Sequence, residues 1–208
     1  MFRQRLRLWF RVAGDKRFLS HHDMMRLWER ALRRAGMPLR MSEGFIPRPR
    51  LSLVEPRSVG VTSEAELLEF ELADWMNPDD VLDAINRQLP TDVSVSSLDL
   101  MRPTDKGRPQ AVVYRARLPE ACPDLGDRVA RLLARTEAPI VRHRPTGDKP
   151  LDARPFIESV EADGDQLRMV FRTGPGGTVR PDEVLRLLGF AADTITRTDI
   201  HRIEIRLG

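Results

Sequence analysis

The pattern of apolar and polar positions predicts an α+β chain whose first half begins with a strand and a helix. Residues 5–12 alternate polar and apolar side chains, as half-buried strands do. Residues 20–35 carry apolar side chains three and four positions apart, which predicts a helix with one buried face. Gly36 and Pro38 end this helix. Its predicted buried residues are Met24, Leu27, Trp28, Ala31, Leu32 and Ala35.

The rest of the first half predicts three more strands and a second helix. The strands are expected at residues 51–54, 67–72 and 93–100. The helix begins at Pro78 with Asn77 as its cap, and it buries Val81, Leu82 and Ile85. The resulting order, βαββαβ, is that of a ferredoxin-like unit.

The second half repeats this order after a polar segment rich in Pro and Gly, residues 102–109, which we interpret as a linker. Strands are predicted at residues 111–118, 140–144, 156–160, 166–172 and 200–207, and helices at residues 124–134 and 181–188. We therefore expect two tandem ferredoxin-like units with mostly antiparallel sheets, residues 1–104 and 105–208.

Composition narrows the class of protein. No apolar run approaches the roughly 20 residues of a membrane span, and residues 1–12 lack the apolar centre of a secretory signal. A single cysteine, Cys122, excludes an internal disulfide and an iron–sulfur cluster held by this chain alone. We expect a cytoplasmic protein without membrane contact, cofactor or metal. Cys122 itself is either a loop thiol or a nucleophile.

The formal net charge is only +3, but the charges are unevenly distributed. Residues 1–60 contain fourteen Lys and Arg against five Asp and Glu, whereas residues 61–105 contain eleven acids against Arg87 and Arg102. Almost all the basic residues are arginine, which suits bidentate contact with phosphate or carboxylate. A GC-rich genome is an equally good explanation of so many arginines.

The first candidate site is Ser20-His21-His22-Asp23 at the start of the predicted helix. Ser20 and Asp23 have the spacing of a capping box. Adjacent histidines on a helix point about 100° apart, so they are poorly placed to bind one metal ion. Two interpretations remain, an anion-binding helix start and simple capping.

The second candidate is the opposite side of the same helix. Arg26, Arg30 and Arg33 lie three or four residues apart and project from one side, which we call the arginine face. It is suited to contacting several phosphates in a row. The alternative is that these arginines pair with Glu29 and solvent.

The third candidate is a proline-broken basic loop, residues 42–50. Gly44 permits close approach of a ligand, Phe45 can stack on a base, and the prolines stiffen the segment around its arginines. Alternatively, the loop covers the sheet with Phe45 as a buried anchor. The candidate binding residues are Ser42, Gly44, Phe45, Pro47, Arg48, Pro49 and Arg50.

A second basic segment in the other half is a further candidate for ligand contact. It centres on residues 152–155 (Asp-Ala-Arg-Pro). Four basic residues precede it, namely Arg142, His143, Arg144 and Lys149. The alternative is a solvated loop that leads into a strand.

The run from Ser20-His21 through Asp23 to Gly44-Phe45 and Pro47-x-Pro49 resembles the signature of the uncharacterised radical-SAM-linked protein family. The resemblance covers residues 16–72 and recurs more faintly at residues 151–160 and 179–188. Members are encoded beside, or fused to, a radical S-adenosylmethionine protein. The matching positions are Ser20, His21, Asp23, Arg26, Ser42, Gly44, Phe45, Pro47 and Pro49. The chain departs at His22, Glu43, Ile46 and Arg48, and the change to Arg48 favours anion binding over proton transfer.

The resemblance implies an accessory recognition module that presents RNA or a ribosome-associated substrate to a radical S-adenosylmethionine protein. The cysteines needed for the cluster would then belong to the partner. One alternative is an enzyme, a metal-free RNA endonuclease similar to the CRISPR repeat-processing nucleases. Another is a structural scaffold that contacts its partner through the acidic segment at residues 64–83.

Overall fold

The computed structural model describes residues 4–102, 105, 108–143, 147–174 and 176–208. These residues form an α+β structure with five α-helices and antiparallel strand pairs, in two compact units, Met1–Gly107 and Arg108–Gly208. The predicted linker includes residues 103–104 and 106–107, which lie outside the described ones. None of the described helices combines the length and the apolar content that crossing a membrane requires.

The first unit contains a four-stranded sheet with two helices on one face. Its strands are β1 (Gln4–Val12), β2 (Leu51–Val54), β3 (Thr62–Leu72) and β4 (Val93–Met101), which pair in the order β4-β1-β3-β2. Its helices are α1 (His21–Arg34) and α2 (Pro78–Asn86). Alternate residues of β1 and β3 meet both helices in one core, which includes Leu6, Leu8, Phe10, Trp28, Phe70, Val81 and Ile85.

The sequence of α1 accounts for its ends and for its buried side. The Ser20 side chain caps the helix by accepting a hydrogen bond from the N–H of Asp23. The indole of Trp28 packs edge-on against Phe10, with ring centroids 4.7 Å apart. Gly36 follows the helix with a φ of 72°, a conformation that favours glycine. The buried residues of α1 are Met24, Trp28, Ala31 and Leu32.

The structure lengthens one predicted strand of this unit. The strand expected at residues 67–72 begins five residues earlier, at Thr62. Two polar residues of the extension, Ser63 and Glu66, are buried and lie opposite Val12 and Phe10 of β1. This part of β3 is therefore a strand because it pairs with β1. The local pattern of polar and apolar side chains does not predict a strand there.

The second unit has six described strands and three α-helices. The strands are β5 (Pro109–Arg117), β6 (Pro139–Arg142), β7 (Lys149–Asp152), β8 (Ile157–Asp163), β9 (Gln166–Arg172) and β10 (Asp199–Leu207). The helices are α3 (Leu125–Leu133), α4 (Pro181–Leu187) and α5 (Ala192–Arg197). Within the unit, a sheet forms in the order β10-β5-β9-β8.

The second unit differs from the predicted order in two places. The strand expected at residues 140–144 ends at Arg142 and pairs with β7 in a separate hairpin, and Arg144 lies outside the described residues. Strand β7 was not predicted because Pro150 interrupts a short polar segment. Helix α5 was not predicted either, since its six residues include three β-branched ones and are too few for a clear helical period.

Candidate binding surfaces

The Ser20–Asp23 segment forms a self-contained helix cap. The Ser20 hydroxyl accepts the Asp23 N–H at 3.2 Å and donates to the Asp23 carboxylate at 2.7 Å. In the predicted capping box, the Asp23 side chain would have accepted the backbone N–H of Ser20 instead. The carboxylate already supplies the negative charge that a helix start favours. These direct contacts support the capping interpretation. The negative charge of Asp23 would repel an added anion.

The neighbouring histidines are exposed at the first turn of α1. The ring centroids of His21 and His22 are 5.7 Å apart and the rings are tilted by 59°. Within the described residues, no group of three or more His, Cys, Asp or Glu side chains is arranged to hold a metal ion.

The arginine face is exposed, and some of its arginines form ion pairs with described residues while another does not. Arg26 lies 3.7 Å from Asp23, and Arg33 lies 2.7 Å from Glu29. Arg30 donates only to the backbone carbonyl of Arg26, at 3.3 Å. In the described part of the chain, no carboxylate lies within ion-pair distance of Arg30 or of its neighbour one turn later, Arg34. Two of the three arginines thus have partners on their own helix.

The basic loop forms a closed hairpin with an exposed tip. Met41 and Pro49 form an isolated β-bridge, which closes the loop. Inside it, the Ser42 N–H donates to the Arg48 carbonyl at 2.7 Å, and the Arg48 N–H donates to the Ser42 hydroxyl at 3.0 Å. At the base, the Arg50 N–H donates to the Arg40 carbonyl at 2.8 Å. We call residues 41–49 the tip hairpin. Its backbone bonds fix the direction in which the tip points.

The side chains at the tip project into solvent. Phe45 is fully exposed and Ile46 is 77% exposed, so the interpretation of Phe45 as a buried anchor is wrong. Gly44 has no positive φ, and a Cβ at this position would meet nothing within 4 Å. The backbone therefore does not require glycine, while the space beside it is open. Arg48 is exposed, and no carboxylate among the described residues pairs with it.

The helix cap and the tip hairpin are connected to opposite ends of α1. Residues Ser20–Asp23 start α1, whereas the tip hairpin follows its C-terminal end. The 14 residues of α1 span about 21 Å at about 1.5 Å per residue. Among the described residues, no hydrogen bond, ion pair or ring contact joins the two segments. One compact ligand therefore does not contact both.

The second basic segment forms hydrogen bonds within the second unit. Arg154 donates to the carbonyls of Leu133 and Arg135 at the end of α3, at 3.0 and 3.1 Å. Asp152 accepts the N–H groups of Ala138 at 2.7 Å and of Arg154 at 3.0 Å, and these two bonds lower its pKa. These contacts favour a structural role for both side chains over ligand contact, because backbone groups of the same unit already bind them.

Arg142 is also occupied within the second unit. Its guanidinium binds the Glu183 carboxylate through two hydrogen bonds of 2.6 and 2.8 Å. His143 meets Asp148 at 2.7 Å on the surface. Of the four basic residues that precede the segment, these two have acidic partners nearby, which favours the structural interpretation.

The surroundings of Cys122 favour its neutral thiol form. It donates a hydrogen bond to Asp124 at 3.2 Å. Burial raises the pKa of the Cys122 thiol, and the bond to Asp124 raises it further. A raised pKa leaves the neutral form dominant, whereas nucleophilic cysteines need the thiolate.

A cleft that the sequence did not reveal lies beside the arginine face. Its volume is about 430 Å³, and it lies between α1 and the segment that follows α2. Lys16, Arg30 and Arg34 supply its charges, and no acidic side chain lines it among the residues that the structure describes. We call it the basic cleft. The spacing of Arg30 and Arg34 is visible in the sequence, but Lys16 and the residues after α2 reach them only through the fold.

The family model described as "Uncharacterized protein conserved in bacteria (DUF2344)" matches residues 5–181. The chain belongs to this family. The match includes the helix cap, the tip hairpin and the basic cleft, and it ends at the first residue of α4. The family description specifies no activity.

Other comparisons add little. The crystal structure of an unknown protein from Galdieria sulphuraria aligns with 100% of this chain and 99% of its own, at 11% identity and a TM-score of 0.27. Backbones that agree so poorly carry no argument about the fold or the activity of this family member. No curated protein matches the chain.

Proposed function

We propose that this family member is a non-enzymatic, cytoplasmic recognition module that binds single-stranded RNA and works with a radical S-adenosylmethionine protein. The observation that carries the proposal is the fully exposed ring of Phe45 on a hairpin whose backbone is held by internal hydrogen bonds. An exposed aromatic ring on a backbone that is already ordered can stack on a base without ordering that backbone first.

Exposed cations of the first unit support an RNA ligand. Arg48 lies three residues from Phe45 and has no carboxylate partner in the described residues. Arg30 and Arg34 offer two more unpaired cations on α1. The exposed pairs of Arg26 and Arg33 are each worth less than about 1 kcal/mol, so a phosphate can replace them. Single-stranded RNA presents bases and phosphates together, which matches this combination of ring and cations.

The proposed partner, a radical S-adenosylmethionine protein, rests on the resemblance to the radical-SAM-linked family. A radical S-adenosylmethionine reaction uses a cluster held by cysteine thiolates, and this chain has one cysteine whose thiol pKa is raised. The strand orders β4-β1-β3-β2 and β10-β5-β9-β8 support a further part of the proposal, that both units are ferredoxin-like.

Variants of Phe45 test the proposal because they separate stacking from general apolar contact. Fluorescence anisotropy with a 5′-hydroxyl single-stranded RNA should show that Phe45→Trp binds as the wild type does. Phe45→Leu and Phe45→Ala should each lose about 1–3 kcal/mol of binding free energy. Phe18→Leu is the matched control, since Phe18 is another exposed ring of the first unit.

Salt dependence supplies the second measurement. The affinity for RNA should fall with rising salt, so that log affinity has a negative slope against log salt. Replacing Arg48 with Ala should make this slope less steep by about 0.7, the contribution of one contact to a single strand. Equal RNA affinity of all the Phe45 variants, or no salt-dependent binding by the wild type, would overturn the RNA proposal. A protein partner at the exposed tip would then take its place.

A further inference from the structure

The basic cleft combines unpaired positive charge with an apolar floor. Lys16, Arg30 and Arg34 line it, and in the described part of the chain none of them pairs with a carboxylate. Leu27 and Leu89 form part of the floor, and both pack against the core of the first unit. The volume of about 430 Å³ lies within the usual range of ligand pockets, about 300–1,000 Å³.

The walls of the cleft are fixed before any ligand arrives. Arg30 and Arg34 are one turn apart on α1, so their side chains project in the same direction. The Lys16 carbonyl accepts a hydrogen bond from Arg57 at 2.7 Å, which holds the 3₁₀ turn on which Lys16 lies. Little backbone ordering remains to be done on binding.

Three like charges around one cleft favour a ligand with more than one negative charge. A terminal phosphate carries about −1.5 to −2 charges near neutral pH, and the guanidinium fork can bind two of its oxygens. The Gln88 side chain lies in the same lining and supplies both a donor and an acceptor. Together with the apolar floor, it suits a flat ring with polar edges attached to the phosphate.

We infer that the basic cleft binds a nucleoside carrying a terminal phosphate, with the phosphate on Lys16, Arg30 and Arg34 and the base over Leu27 and Leu89. The same chemical group occurs in a free nucleotide and at the phosphorylated end of an RNA. For an RNA end the inference rests on the RNA binding proposed above; for a free nucleotide it stands independently.

Calorimetry on the full chain tests the inference with four probes: inorganic phosphate, nucleoside 5′-monophosphates, and one short RNA with either a 5′-phosphate or a 5′-hydroxyl. A monophosphate should bind more tightly than inorganic phosphate, because only the nucleotide contacts the apolar floor. If the source is an RNA end, the 5′-phosphate RNA should also bind about tenfold or more tightly than the 5′-hydroxyl RNA, as the loss of one charge-assisted contact implies.

The variant is Lys16→Ala/Arg34→Ala, and the matched control is Arg172→Ala/Arg186→Ala, which removes the same charge from exposed, ion-paired positions. The first pair should lose about tenfold or more in monophosphate affinity, and the control should stay within about threefold of the wild type. Thermal melting should be unchanged in both. Equal losses in the two variants, or no binding of either phosphorylated probe, would overturn the inference.

The outcomes for the cleft and for the tip hairpin are separable. Phe45→Ala should leave monophosphate binding unchanged, because Phe45 does not line the cleft. Monophosphate binding without any RNA binding would refute the RNA function and leave the cleft in place. RNA binding that depends on Phe45 but is indifferent to the 5′-phosphate, with no monophosphate binding, would refute the cleft alone.

Discussion

Breaking the ion pair of Arg142 and Glu183 at one partner should strongly destabilise the second unit. Glu183 is only 6% exposed, and its two carboxylate oxygens accept the Arg142 side chain at 2.6 and 2.8 Å. One of them also accepts the Arg180 N–H at 2.8 Å, and Arg142 donates to the Thr178 carbonyl at 2.5 Å. The pair thus joins the end of β6 to the start of α4.

Replacing Glu183 with Gln removes the charge while keeping the shape. The Arg142 guanidinium would remain largely buried without its counter-charge, a loss that costs about 3–5 kcal/mol for buried pairs. Since the Arg142 side chain keeps 14% of its exposure, we expect the lower end, about 3 kcal/mol. For a chain of 208 residues this corresponds to a melting temperature lower by about 6–12 °C.

The same pair should make the free energy of unfolding depend on pH. Burial raises the pKa of Glu183, but hydrogen bonds from Arg142 and from the Arg180 backbone, with the positive charges of both, outweigh it and lower the pKa overall. The folded protein therefore holds this proton less tightly than the unfolded chain, and the contribution is complete above the unfolded pKa, about 4.3. It is lost as the pH falls through the lower, folded pKa.

Thermal unfolding followed by circular dichroism between pH 7 and pH 3 tests both expectations. Glu183→Gln should melt well below the wild type at pH 7, and the difference should narrow toward pH 3. Arg142→Met/Glu183→Met should lose less than the sum of its single variants, because neither charge is left alone. Glu158→Gln is the control, since Glu158 pairs with Arg172 at 3.4 Å on the surface. A melting temperature of Glu183→Gln within about 1 °C of that of this control would contradict the expected cost.

Three smaller predictions use the same melting measurement. Trp28→Ala should cost about 3–5 kcal/mol, whereas Trp28→Phe should cost less, because the buried indole N–H has no hydrogen-bond partner in the described residues; equal losses would contradict this. Gly36→Ala should cost about 1–2 kcal/mol because φ is 72°, and a stabilised variant would refute it. Asp152→Asn should melt lower at pH 7, and the difference should narrow as the pH falls, since bonds from the N–H groups of Ala138 and Arg154 lower the pKa of Asp152 and their contribution is lost as the pH falls through that lower pKa. A difference that widens in acid would contradict this sign.

The elements that depend on local signals were predictable from the sequence. Helix α1 follows directly from its cap at Ser20, its apolar stripe and its end at Gly36. The observed β1 and β4 each differ from the prediction by one residue at one end. All of these signals act over a few residues, so a single sequence contains them.

The elements that depend on distant partners were not predictable. The first five residues of β3 owe their strand conformation to pairing with β1, and β7 exists through pairing with β6. The same limit applies to the candidate sites. Arg142 and Glu183 are 41 residues apart in sequence, so nothing local marks Arg142 as a structural residue rather than a ligand contact. For Phe45 the sequence left a stacking ring and a buried anchor both open, since an aromatic residue in a loop gives no local sign of its exposure.

Arginines of the first unit differ in whether a carboxylate lies beside them. On the sheet face away from the helices, Arg5 and Arg7 lie within 3.6 and 2.7 Å of Glu69, and Arg40 lies 3.0 Å from Glu71. These half-buried pairs hold strands together and leave little free positive charge. On the helix side, Arg30 and Arg34 have no such partner in the described residues.

A GC-rich genome can account for how many arginines a chain contains, but it does not determine which of them receive carboxylates. In this unit carboxylates pair with arginines of the sheet. Among the described residues, no carboxylate pairs with the three cations that surround the apolar floor of the basic cleft. Mutual repulsion makes such a cluster unfavourable in the absence of a ligand. Its presence beside paired arginines of the same type is therefore a stronger argument for anion binding than the arginine content or the net charge of +3.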